Sequence, residues 1–176
     1  MKAKFISALV LVSVLVHSLT AATVVFKPVD SEEVKTGEWN KNAAAVIAKA
    51  KAENAPVVVV GSQFGCAYCA KFYTTVLNTA SFQEWCKSKP WYFIYAYSGT
   101  GNWSGTHPVY EIMTLGAMPR VSGYWLKNNG TVVGGADITF AGRDSKANVK
   151  YIEEYFEKLF ADYKPGPSYS GGYFAT

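Results

Sequence analysis

Two apolar runs stand out because no polar residue interrupts them: "VVVV" at residues 57–60 and "WYFIYAY" at residues 91–97. Such β-branched and aromatic runs suit strands buried on both faces, as in a parallel sheet. Between and around them the pattern turns helical. Residues 40–54 are rich in alanine, with Val46 and Ile47, and predict a helix that Asn40 or Asn42 caps and Pro56 ends. Residues 61–65 read as a turn. Residues 70–77 place Phe72, Tyr73, Val76 and Leu77 on one helical side, and residues 80–87 form a second helical piece. Pro108 fits the first turn of a short helix, with Thr106 or His107 as its cap and Gly116 as its stop. "NNG" between residues 121–127 and 131–134 predicts a hairpin. Near the end, Val149, Ile152, Phe156, Leu159 and Phe160 recur at helical steps, Asp144 or Ser145 supplies a cap, and Glu153, Glu154 and Glu157 form a solvated face. Residues 23–29 read as a short edge strand. Strands separated by helices pair in parallel, and the hairpin adds an antiparallel edge, so the fold class is α/β with a mixed sheet.

The first 22 residues, "MKAKFISALVLVSVLVHSLTAA", have a basic start and an apolar stretch from Phe5 to Val16. That length is right for the core of an export signal and short for a membrane span. Residues 1–22 are therefore read as a signal peptide, 23–163 as one domain and 164–176 as a flexible tail. The expected location is periplasmic or extracellular, with no stable membrane span. Removing the segment takes away Lys2 and Lys4 and no acid, which lowers the formal net charge from +4 to +2. No basic stripe suggests a nucleic-acid partner.

Export changes how the cysteines read, because thiols in an oxidising compartment tend to pair. There are three: Cys66, Cys69 and Cys86. Cys66 and Cys69, in "CAYC", fall where a central strand hands over to a helix. The unpaired N–H groups and partial positive charge of a helix start favour a thiolate at Cys66. Cys69, one turn further in, is expected to be more buried. This is the layout of an attacking and a resolving cysteine in thiol–disulfide exchange. Three other readings stand beside it. The pair is half of many zinc sites, with Cys86 and His107 as the remaining donors. It is a structural staple, although so small a loop adds little stability. Or it belongs to a chaperone or adaptor groove in which the disulfide is not catalytic. Haem attachment is excluded, since Ala70 stands where histidine is required. Cys86, after Trp85, reads as a buried apolar cysteine. His107 reads as a helix cap, Trp103 as a loop aromatic beside a groove or in ordinary packing, and Lys71 as a surface lysine or as added positive charge near Cys66.

Over residues 39–160 the chain resembles the thioredoxin superfamily. The "VVVV" strand, "CAYC" opening a helix, "AMPR" with Pro119 before a strand, and "AGRDSKANVKYI" with Gly142 before the last helix occur in the family's order. The resemblance implies a thioredoxin-like fold, a mixed central sheet flanked by helices on both faces. It implies a cis peptide at Met118–Pro119, Cys66 and Cys69 as the catalytic pair, and a substrate groove along Met118, Pro119, Gly142, Phe64 and Tyr68. It also implies protein dithiol or disulfide substrates, an unidentified redox partner, a monomer, and no metal or organic cofactor. Three positions depart from thioredoxins proper. Gly65 replaces the tryptophan before the first cysteine, Ala67-Tyr68 replaces Gly-Pro inside the pair, and Val60 replaces a buried aspartate.

Overall fold

The computed structural model describes residues 25–101, 103, 105–112, 118–126, 132–134, 138–139 and 148–166. The segments 1–22 and 167–176, together with Gly116, the "NNG" turn, Gly142, Asp144 and Ser145, lie outside the described residues.

Elements follow one another as β1 (Trp39–Asn40), α1 (Ala43–Glu53), β2 (Val57–Gln63), α2 (Ala67–Phe72), α3 (Ala80–Ser88), β3 (Tyr92–Ser98), β4 (Arg120–Leu126), β5 (Val132–Gly134), β6 (Ile138–Thr139) and α4 (Val149–Leu159). A π-helical turn, Tyr73–Leu77, prolongs α2, and a 3₁₀ turn, Pro108–Glu111, precedes β4. The sheet runs β1-β3-β2-β4-β5, and β6 also pairs with β4. β1, β2 and β3 are mutually parallel where they pair, and β4 runs antiparallel to β2, with Val60 opposite Val121. This is a thioredoxin-like α/β fold with a mixed sheet.

Why β2 and β3 lie at the centre follows from their side chains. Val57 to Val60 are all at most 2% exposed, and they alternate between two cores. Val57 and Val59 pack with Ala43, Val46, Ile47 and Ala50 of α1, while Val58 and Val60 pack with Phe82 and Cys86 of α3 and Ile152 and Phe156 of α4. A strand covered on both faces needs an apolar residue at every position. Fully burying a valine contributes about 1.5–3 kcal/mol relative to leaving it in water.

Several boundaries differ from those expected. β2 continues through Gly61, Ser62 and Gln63, which pair with Ala96, Tyr97 and Ser98. Ladder hydrogen bonds to β3 outweigh the turn tendency of Gly61, and the turn shrinks to Phe64–Gly65. The edge strand is Trp39–Asn40; of residues 23–29, expected as a strand, 23 and 24 lie outside the described residues, and among 25–29 only Val29 forms a bridge, to Asn40. Pro28 cannot donate to a ladder, whereas Trp39 anchors β1 against Phe93 with ring centroids 5.0 Å apart. Asn42 caps α1, its side chain accepting from Ala45 N–H at 3.1 Å. Asn40 instead accepts from Asn42 N–H and donates to the Ser31 carbonyl. α4 begins later than Asp144 or Ser145 would allow, because Asn148 caps it by accepting from Tyr151 N–H at 3.0 Å.

The acidic face of α4 is not simply solvated. Glu157 accepts from Trp85 Nε1 at 2.9 Å and from Lys89 Nζ at 2.5 Å, which ties α4 to the end of α3. The Lys89 ammonium also sits over the rings of Trp85 and Trp91, at 5.4 and 5.7 Å from their centroids.

Candidate active site

The site is built at the C-terminal end of β2. After Gln63 the chain turns through Phe64 and Gly65, and Gly65 takes φ +72°. A side chain at that backbone angle is strained, so the position where thioredoxins carry tryptophan is held here by the one residue that adopts it freely. The aromatic moves back one place to Phe64, which is 68% exposed. Phe64 N–H donates to the Ser98 carbonyl at 2.8 Å and fixes this turn to the end of β3.

Cys66 is then the N-cap of α2. Its Sγ accepts from Cys69 N–H at 3.1 Å, and a disulfide joins it to Cys69 with Cα atoms 5.2 Å apart. The helix places the two sulfurs in different surroundings. Cys66 is partly exposed, whereas Cys69 is 6% exposed and packs with Val59, Ile94, Ala96, Val109 and Met118. An incoming thiol therefore meets Cys66 first. Tyr68, 53% exposed, stands out from the first turn between them.

The loop before β4 completes the site. The Met118–Pro119 peptide is cis. Met118 O lies 3.5 Å from Cys66 Sγ, and the Met118 side chain is buried in the cluster that holds Cys69. Met118 thus meets the pair from the β4 side, and Phe64 and Tyr68 are its exposed neighbours along the chain. Val60, where an aspartate stands in thioredoxins, is wholly buried and apolar. Lys71 lies exposed on the second turn of α2.

The other candidate residues fall elsewhere. Cys86 is fully buried in the α3–α4 core, on the face of the sheet opposite the cluster of Cys69. Burial pushes its thiol far above the ordinary range, as suits a small apolar side chain. His107 caps the 3₁₀ turn, its Nδ1 accepting from Val109 N–H at 3.3 Å. Burial holds its imidazole below the ordinary range. Its ring meets Trp103 edge to face at 5.3 Å. Trp103 and Cys66 pack against the same cluster. Tyr97, 49% exposed beside this loop and stacked on Tyr95, was not singled out in the sequence, because "WYFIYAY" hides which of its rings reach solvent.

No family model matches the sequence, and no curated protein is recognisably similar to it. Solved structures resemble the chain in shape. A thioredoxin from Thermus thermophilus is 17% identical, with 68% of this chain and 85% of that chain covered and a TM-score of 0.49. A DsbH oxidoreductase is 11% identical, with 77% and 92% covered and a TM-score of 0.47. The first thioredoxin domain of mouse protein disulfide-isomerase A4 is 14% identical, with 81% and 91% covered and a TM-score of 0.44. The thioredoxin-like fold itself is carried by this chain's own sheet order, with "CAYC" at the end of β2 and the cis Met118–Pro119 bond beside it.

Proposed function

We propose that the chain is a thiol–disulfide oxidoreductase that exchanges disulfides with protein substrates through Cys66 and Cys69. The observation that carries this reading is the asymmetry of the pair. One sulfur is reachable and accepts a helix N–H, and its bonded partner is buried.

With the pair reduced, Cys66 thiolate attacks a substrate disulfide. A Cys66–substrate bond forms, and the displaced substrate sulfur leaves as a thiolate that takes up a proton. Cys69 then attacks Cys66 Sγ, closes the internal disulfide and releases the second substrate sulfur. Two electrons pass from the pair to the substrate, and a dithiol donor must restore them. In the opposite direction a substrate dithiol attacks Cys66 of the disulfide, and the pair carries two electrons away. The Cys69 N–H, 3.1 Å from Cys66 Sγ, stabilises negative charge on that sulfur in either direction. With Val60 in place of an acid, the Cys69 proton leaves to water or to a substrate group.

Phe64 and Tyr68 offer exposed aromatic surface beside the pair; Met118 and Pro119 would line the same groove, where the resemblance also implies Gly142. Protein clients suit such a surface. The same aromatic exposure favours a second reading, in which the groove holds a client and the disulfide stays closed. The N-terminal apolar segment and the paired cysteines support an exported protein working outside the cytoplasm. Among the described residues no helix is long and apolar enough to cross a membrane.

Two variants test the reading. Cys66→Ser should abolish reduction of a protein disulfide, a loss of at least about a thousandfold, because no nucleophile remains. Cys69→Ser should leave Cys66 to form mixed disulfides with clients that persist on a non-reducing gel. Undiminished turnover in Cys66→Ser protein would overturn the reading, whereas no turnover by the parent protein, with client binding intact, would leave the non-catalytic groove as the answer.

A further inference from the structure

β1 pairs with only the first part of β3. Trp39 lies opposite Phe93 and Asn40 opposite Ile94, and then the chain leaves the sheet for α1. β3 runs on for four more residues, to Ser98. In a parallel ladder the residues of a strand bond alternately to its two neighbours. Tyr92 N–H donates to the Pro56 carbonyl, and the Ser98 carbonyl accepts from Phe64, so even-numbered residues face β2. The Trp91 carbonyl accepts from Gly37 N–H on the other side, so odd-numbered residues face β1. Past Asn40, among the described residues, no strand meets the outward main-chain groups of Tyr97.

An open groove of about 360 Å³ occupies this place, lined by Lys41, Tyr95, Tyr97 and His107. Tyr95 and Tyr97 stack, with planes 14° apart and centroids 6.4 Å apart, and form an aromatic step along the edge. Lys41 is exposed at the groove's end, and among the described residues it makes no ion pair. Among the described residues no acidic side chain lines the groove.

We propose that this groove is a docking edge for an extended, acidic segment of a partner polypeptide, which adds to β3 as a strand beyond the end of β1. Unpaired edge groups give the main-chain bonds of strand addition, and alternate side chains of the added segment meet the tyrosine step. Lys41 selects for acid by charge complementarity. A second copy of this chain is disfavoured as the occupant, since it would bring its own Lys41 and His107 to the same edge. The groove differs from the wall at Met118 and Pro119, and it stands whether or not the cysteine pair turns over.

The test uses the purified protein and three labelled ten-residue peptides of alternating threonine and valine. One carries two glutamates, one carries two lysines in their place, and one is the glutamate peptide with alternate amides N-methylated. Fluorescence anisotropy should show the glutamate peptide binding about tenfold more tightly than the lysine peptide, and the methylated peptide not binding. Bound glutamate peptide should slow amide hydrogen exchange at Tyr97. Lys41→Glu should reverse the preference between the two charged peptides. Equal binding by a Cys66→Ser, Cys69→Ser double variant, which cannot exchange disulfides, keeps the fate of the groove separate from that of the pair. Absence of binding at millimolar peptide, protection at Met118 instead of Tyr97, an unchanged preference in Lys41→Glu, or self-association through this edge would each overturn the proposal.

Discussion

Three cysteines of one chemical type sit in three different surroundings. Cys66 sits at a helix start, partly in solvent, with an N–H aimed at its sulfur; Cys69 lies beneath it; Cys86 is sealed among Phe82, Trp39 and Phe93. Cys86 should therefore resist alkylation in the folded, reduced protein and react only on unfolding, and Cys86→Ala should leave disulfide exchange unchanged. Mass mapping after timed alkylation reads this directly, and rapid labelling of Cys86 in the native protein would contradict it. A glycine supplies a second residue-scale prediction. A Cβ at Gly123 would lie 2.7 Å from Phe156 Cε1 and 2.8 Å from Phe160 Cζ. Gly123→Ala should therefore lower stability by about 1–3 kcal/mol through overpacking, visible as a lower urea midpoint at unchanged m-value. The spacing of "CAYC" was legible because the chemistry lies within four residues. The need for glycine at position 123 was not, because the rings that crowd it arrive from a helix more than 30 residues away.

At the scale of elements, short-range pattern located the helices and strands, and pairing set their ends. The unbroken valine run and the spacing of Ile152, Phe156 and Phe160 show in the sequence, because the first reports a strand covered on both faces and the second a helix covered on one. The extension of β2 to Gln63 does not, since it depends on Ala96, Tyr97 and Ser98 lying alongside. Caps are equally ambiguous, because Asp144, Ser145 and Asn148 are all good caps and only the start of packing at α4 selects Asn148. The tie between α3 and α4 was hidden for a similar reason. Glu157 reads as one more acid on a solvated face until Trp85 and Lys89 come beside it. The Lys89 ammonium, and then the Trp85 indole N–H, hold the Glu157 carboxyl below the ordinary carboxylate range. A carboxyl depressed in the folded state adds stability above its unfolded pKa, about 4.3, and loses it as pH falls through the folded value. Glu157→Gln should thus lower Tm at pH 7 by about 1–3 °C, a modest shift because the pair is half in solvent. The gap to the parent should close as pH falls below about 4. Glu153, raised by burial and then by the charge of Glu157, works the other way and trims the effect. A gap that widens toward acid pH would contradict this assignment.

For the whole molecule, the sheet order brings two distant stretches to one end. The pair at the end of β2 and the Met118–Pro119 peptide before β4 are 52 residues apart between Cys66 and Met118, yet Cys66 Sγ lies 3.5 Å from the Met118 carbonyl. The resemblance implies one groove for both, and α/β sheets put such sites at strand ends. The notch beyond β1 was not legible, because it exists only where a short edge strand stops beside a longer neighbour. The central claim is that Cys66 and Cys69 form one reversible redox centre. It is tested most directly by a redox titration of the purified protein in graded glutathione buffers, with alkylation and mass mapping of all three cysteines. The account predicts that Cys66 and Cys69 convert together in a single two-electron step, with a midpoint between about −300 and −120 mV, while Cys86 stays a thiol throughout. A pair that remains closed or open across the whole range, or two sulfurs that react independently, would contradict it.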